Sequence, residues 1–163
     1  MSNELVVKDT SSVSLLDIRM DSKTYPRLCR YNREEAIFQM SKIVAQAFLY
    51  KGQAADANNI SFISSALVDE LLQEDKVGAK YLSFEEISRI VKQAVLTDSE
   101  MYGISVASLY KVIIAWCKGE GARIQQEARD LKRKQDNEAL RNSVVAPMLQ
   151  AYTGQFINEH KIK

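Results

Sequence analysis

The chain holds one histidine and two cysteines among its 163 residues, and these scarcities exclude a good deal of chemistry. The histidine, His160, lies in the last few residues, where chains are usually poorly ordered, and reads as a solvated tail residue. Cys29 and Cys117 stand far apart and make no CxxC or zinc-ligand spacing. Cys117 closes an apolar helical face and reads as a small buried hydrophobe. Transition-metal ligation therefore has little to work with. The six glycines are scattered and no GK[ST] phosphate loop occurs. The carboxylates fall at helix starts and on exposed faces, where they stabilise helices rather than perform acid–base chemistry. Glu85 and Glu86 could be imagined as a metal pair, but capping explains Glu86 more simply. The expectation is no enzyme: no catalytic residues, no cofactor and no metal.

Charge of one sign is also missing. Lysine and arginine number 22 and aspartate and glutamate 21. A free-standing nucleic-acid binder usually carries a clear basic excess, and a balance near zero removes a barrier to self-association. No apolar run approaches a membrane span, and the first residues lack a basic start followed by an apolar core. These absences, with reduced cysteines, predict a cytoplasmic protein with no membrane partner.

Helical periodicity is abundant. A helix is expected from about Arg33 to Tyr50, with Ile37, Met40, Val44, Ala47 and Phe48 at helical spacing, Asn32 as cap and Gly52 as stop. A second covers about Asn59 to Gln73, on Ile60, Ile63, Leu67 and Leu71. The third has the best start signal, a capping box of Ser83 with Glu86 flanked by a Leu82–Ile87 staple. A further capping box, Thr97 with Glu100, predicts a bend and a new helical turn through Tyr102. Gly103 is expected in a left-handed turn, with Ser105 capping a fourth helix over Val106–Cys117 that Gly119 and Gly121 terminate. Ser14–Ile18 reads equally as a helical turn or a short strand.

Together these signals predict an all-α protein: a four-helix body at 33–119, an extended N-terminal arm at 1–32, a long charged helix at 120–142 and a C-terminal docking segment at 143–163. The long helix is mixed in charge, with a thin stripe of Ile124, Ala128, Leu131 and Leu140. That stripe is poor for a strong coiled coil but could line a partner. The docking segment gathers apolar residues around Pro147.

Two surfaces follow. The run Tyr102–Trp116, YGISVASLYKVIIAW, resembles the recognition half of a helix-turn-helix, where a glycine, an anchoring apolar residue and a cap precede the helix that enters the major groove. That resemblance implies a DNA-associated replication accessory or transcriptional regulator. Its first half departs from the pattern, because Asp98 stands where an apolar residue is expected. Lys111 is the one basic residue on the outward face, a poor set of base readers. Nucleic acid, if bound, would be met through phosphates by Lys111, Arg123, Arg129, Lys132, Arg133 and Lys134. The other reading is a helix corner with an apolar outer face, giving an interface of Val106, Tyr110 and Ile114, joined by Val144, Met148, Tyr152 and Phe156.

From about Ala36 to Trp116 the order of helices, with LSFEEISRIVKQAV followed by YGISVASLYKVIIAW, resembles a loose group of small helical proteins from phages and mobile elements of gut bacteria. The group has no firm activity to carry over. The resemblance implies a phage or mobile-element origin, hence host cytoplasm or virion. The leading expectation is a protein-binding component of an oligomeric or virion assembly, and the alternative is the DNA-associated reading.

Overall fold

The computed structural model describes residues 13–98 and 101–159, with side chains to Ala151. The fold is all-α, and among the described residues the only strand-like pairing is a lone bridge between Arg27 and Ser83. Among the described residues six α-helices follow in order: α1 Leu15–Met20, α2 Arg33–Lys51, α3 Ala57–Gln73, α4 Phe84–Thr97, α5 Val106–Trp116 and α6 Ala122–Glu159. The chain divides into two units, residues 1–125 and 126–163.

In the first unit, α2 packs on α3 and α4, and α5 packs on α3 and α4. Met40, Val44, Ala47, Leu67, Leu71, Ile87, Val91, Leu109 and Ile113 form one continuous buried cluster. The helix starts are set by side chains that satisfy orphan amides. Asn32 Oδ1 accepts from Glu35 N at 2.8 Å, Asp56 Oδ1 from Asn59 N at 2.7 Å and Ser105 Oγ from Ser108 N at 3.1 Å. At α4 the expected capping box forms, with Glu86 Oε2 accepting from Ser83 N at 2.8 Å. Leu82 and Ile87 are both buried beside it. Gly52 ends α2 in the left-handed conformation, φ 66°, which glycine reaches without a Cβ penalty.

Five local expectations are corrected. The expected arm of residues 1–32 is shorter. From Val13 on, the chain forms α1 and a 3-10 turn, Leu28–Arg30, and both Ile18 and Leu28 are fully buried. Residues 1–12 lie outside the described residues. Ser14, left open between helix and strand, caps α1 in a box with Asp17.

Thr97 caps nothing. It is the last residue of α4, and its hydroxyl donates to Gln93 O at 2.7 Å. Glu100, its supposed partner, lies outside the described residues. Gly103 is not left-handed, since Gly52 and Gly78 are the glycines with positive φ among the described residues.

Gly119 and Gly121 do not stop the fourth helix. A π-helical turn, Cys117–Gly121, absorbs both and leads directly into α6. Gly121 is required there by packing, because an added Cβ would lie 2.5 Å from Trp116 Cζ3. The boundary drawn at 142/143 is not a break either. α6 continues through it to Glu159 with Pro147 inside.

Candidate interaction surfaces

One polar cluster lies inside the first unit. Glu86 is fully buried, with its carboxylate between two arginines. Arg19 Nε lies 2.9 Å from Oε1 and Arg27 Nη1 lies 3.2 Å from Oε2. The Arg19–Glu86 contact is an ion pair by distance but lacks hydrogen-bond alignment, since neither Nε nor Oε1 makes a formal bond. Arg27 Nη2 donates to Arg19 O, and Leu28 N donates to Leu82 O at 2.7 Å. Burial pulls the Arg27 guanidinium below its ordinary pKa, and the Glu86 charge pulls in the opposite direction. The cluster fastens residues 19–28 to the start of α4. Each side chain in it has a charged partner within 3.2 Å, and Glu86 is closed off from solvent.

A second polar device holds the α3–α4 connection. Glu74 accepts from the amides of Lys76, Val77, Gly78 and Ala79. Burial raises its carboxyl pKa, but the four backbone bonds outweigh that, so it lies below the ordinary range. On the outer face of α2 and α3, Arg33 makes a forked pair with Asp69, at 2.9 and 2.7 Å.

A groove of about 530 Å³ is lined by Leu15, Ile90, Ala94, Val112 and Trp116, with Asp98 and Glu120 among its polar residues. Glu120 is paired with Arg123 at 2.6 Å, a bond that holds its carboxyl below the usual range. The groove has no histidine and no thiol. Among the described residues, no three His, Cys, Asp or Glu side chains converge as metal ligands. No helix among those residues is long and apolar enough to cross a membrane.

The expected interface on α5 is only partly available. Val106, Tyr110 and Ile114 are half-buried and packed against the core, because α5 meets both α3 and α4. Lys111 is exposed on the same helix. α4 ends at Thr97 and α5 begins at Val106, so residues 98–105 join them, where the motif uses a turn of about three to four residues.

On α6, Arg123 pairs with Glu120, while Arg129, Lys132, Arg133 and Lys134 are exposed. Leu140, Val144, Val145, Met148 and Leu149 are also exposed, Met148 to 66%. Tyr152 and Phe156 belong to the same helix, beyond the described side chains. No charged residue occurs between Arg141 and Glu159.

A further exposed group escaped the sequence reading. Leu49 and Tyr50 end α2, Leu96 ends α4 and Tyr102 follows in the loop, all exposed. Gln53 Nε2 donates to Tyr102 O at 3.0 Å, and Lys92 lies over the Tyr50 ring at 5.7 Å, so tertiary contacts bring these elements together. Each residue alone reads as a helix-end or loop residue, and no local pattern in the sequence unites them.

Comparison with known proteins finds no matching family model, no matching curated protein and no matching solved structure. The geometry alone therefore carries the functional reading.

Proposed function

We propose that this chain is a non-enzymatic helical protein of phage or mobile-element origin that works through protein–protein contacts, as a component of an oligomeric or virion assembly. The observation that carries the reading is the exposed apolar surface of α6, from Leu140 to Leu149, on a stretch that holds no charge from Asn142 to residue 158. Contiguous apolar surface of this kind marks a docking site. The α2–α4 end, with Leu49, Tyr50, Leu96 and Tyr102, offers a second such surface. The place of action is host cytoplasm or virion.

The second reading is DNA association through phosphates, by Lys111, Arg123, Arg129, Lys132, Arg133 and Lys134. The exposure of Lys111, Arg129, Lys132, Arg133 and Lys134 favours it. The near-neutral chain and the long α4–α5 connection weigh against it.

Fluorescence anisotropy with a labelled short duplex, titrated at several salt concentrations, separates the two. The assembly reading expects no binding at physiological salt. Binding whose logarithm falls steeply and linearly with log salt is the signature of counterion release and would favour DNA.

A further inference from the structure

We infer that α6 pairs with α6 of a second copy of this chain, parallel and in register, along a seam from Leu131 to Phe156. The inference rests on the assembly reading above and names its partner.

The seam follows from spacing and helix continuity. Leu131, Gln135, Glu138, Asn142, Val145, Leu149, Tyr152 and Phe156 recur at alternating steps of four and three residues. That is the a/d repeat of a coiled coil, and α6 is one unbroken helix across it. A stop at Asn142 would have severed the two halves, but the structure joins them. In this frame Val145 and Leu149 are neighbours on the seam, and both are exposed.

The helix breakers obey the same frame. Pro147 and Gly154 lie seven residues apart, and both occupy f positions, opposite the seam. The amide that Pro147 lacks would have bonded the carbonyl of Ser143, at an outer b position.

Polar residues choose the partner and its direction. Asn142 falls at an a position, where a parallel, in-register pair sets amide against amide, the arrangement that specifies register at some cost in stability. An antiparallel pair would set a against d and place Asn142 opposite an unlike residue. In the parallel pair each g position faces the following e position of the second copy. Glu127 then faces Lys132, Lys134 faces Ala139 and Arg141 faces Ala146, so among these flanking g–e pairs one attracts and none repels. Glu138, at d, is the unfavourable position, since it faces its own copy.

The test is light scattering and cysteine cross-linking on the full chain. Exposed Cys29 is replaced by serine, and buried Cys117 is kept. Asn142→Cys in that background should oxidise to a covalent dimer, because a positions of a parallel pair lie within disulfide reach. Leu149→Asp should give a monomer, and Glu138→Leu should tighten the dimer at least tenfold. Leu149 is exposed, and intrinsic Trp116 fluorescence checks that the body of Leu149→Asp remains folded. An oligomer that ignores Leu149→Asp, or fails to cross-link through Asn142→Cys, would overturn the seam and leave assembly through another surface standing. A wild-type protein that stays monomeric up to its solubility limit would overturn both.

Discussion

Arg19 Nε lies 2.9 Å from Oε1 of Glu86, a contact that ties a segment near the amino end to the first turn of α4. Glu86 is 0% exposed and Arg27 approaches its other oxygen, so two cations share one buried anion. The carboxylate also accepts from Ser83 N, so one side chain caps a helix and anchors the preceding segment.

Glu86→Gln should therefore be severely destabilising. It leaves two largely buried guanidinium groups without their counter-charge, and breaking such a pair from one side costs roughly 3–5 kcal/mol. Urea unfolding followed by circular dichroism measures it. A loss below about 1 kcal/mol would mean that water reaches the cluster and screens it.

Gly121→Ala tests the π-helical turn. The new Cβ would meet Trp116 Cζ3 at 2.5 Å, Cε3 at 2.7 Å and the Trp116 carbonyl oxygen at 3.1 Å. The indole must move, at a cost of about 1–3 kcal/mol, typical of an overpacked site. Trp116 is the only tryptophan, so its emission maximum should shift along with the loss of stability. Gly119→Ala has nothing within 4 Å of its Cβ and should leave the emission unchanged.

Those two glycines show where the sequence misleads. Gly119 and Gly121 carry the signature of a helix stop, yet the reason for Gly121 is the Trp116 ring, which is visible only once the turn is built. Helices α2 and α4 were legible because their caps and apolar periods agree, with Asn32, Gly52, Ser83 and Glu86 all acting as their residue types suggest, whereas α3 was legible from its apolar period alone and its cap, Asp56, was missed. Residues 13–32 were not legible, since their order depends on Glu86, 59 residues beyond Arg27. How much of the α5 face the core already covers was hidden for the same reason. Val106, Tyr110 and Ile114 meet the core through tertiary packing that no local period reports. Of the candidate surfaces, the C-terminal apolar residues were legible as a patch, but their continuity with the charged helix was hidden by Pro147.

Acid should weaken the α3–α4 connection through Glu74. Its folded pKa lies below the ordinary 4.5, with the backbone bonds outweighing burial. A carboxyl with a depressed folded pKa contributes stability that is present above the unfolded value and lost as pH falls through the folded one. The stability difference between wild type and Glu74→Gln should therefore be constant above about pH 5 and shrink as pH drops below 4.5. A difference that grows on acidification would contradict the cradle.

The two thiols should react very differently. Burial pushes the Cys117 thiol up to about 11, whereas Cys29 is exposed. The thiolate is the reactive form, so Cys117 is both inaccessible and protonated near neutral pH. Titration with a chromogenic disulfide at pH 8 should give one fast equivalent in the native protein and two in denaturant. Two fast equivalents without denaturant would show that the end of α5 opens readily.

The central claim is that this chain assembles through apolar helix surface, and multi-angle light scattering of the full chain at low and high salt tests it most directly. The account predicts a discrete oligomer whose mass holds as salt rises, because burial of Val145, Leu149 and their neighbours is not screened by ions. A monomer at both salt concentrations, or an oligomer that dissolves as salt rises, would contradict it.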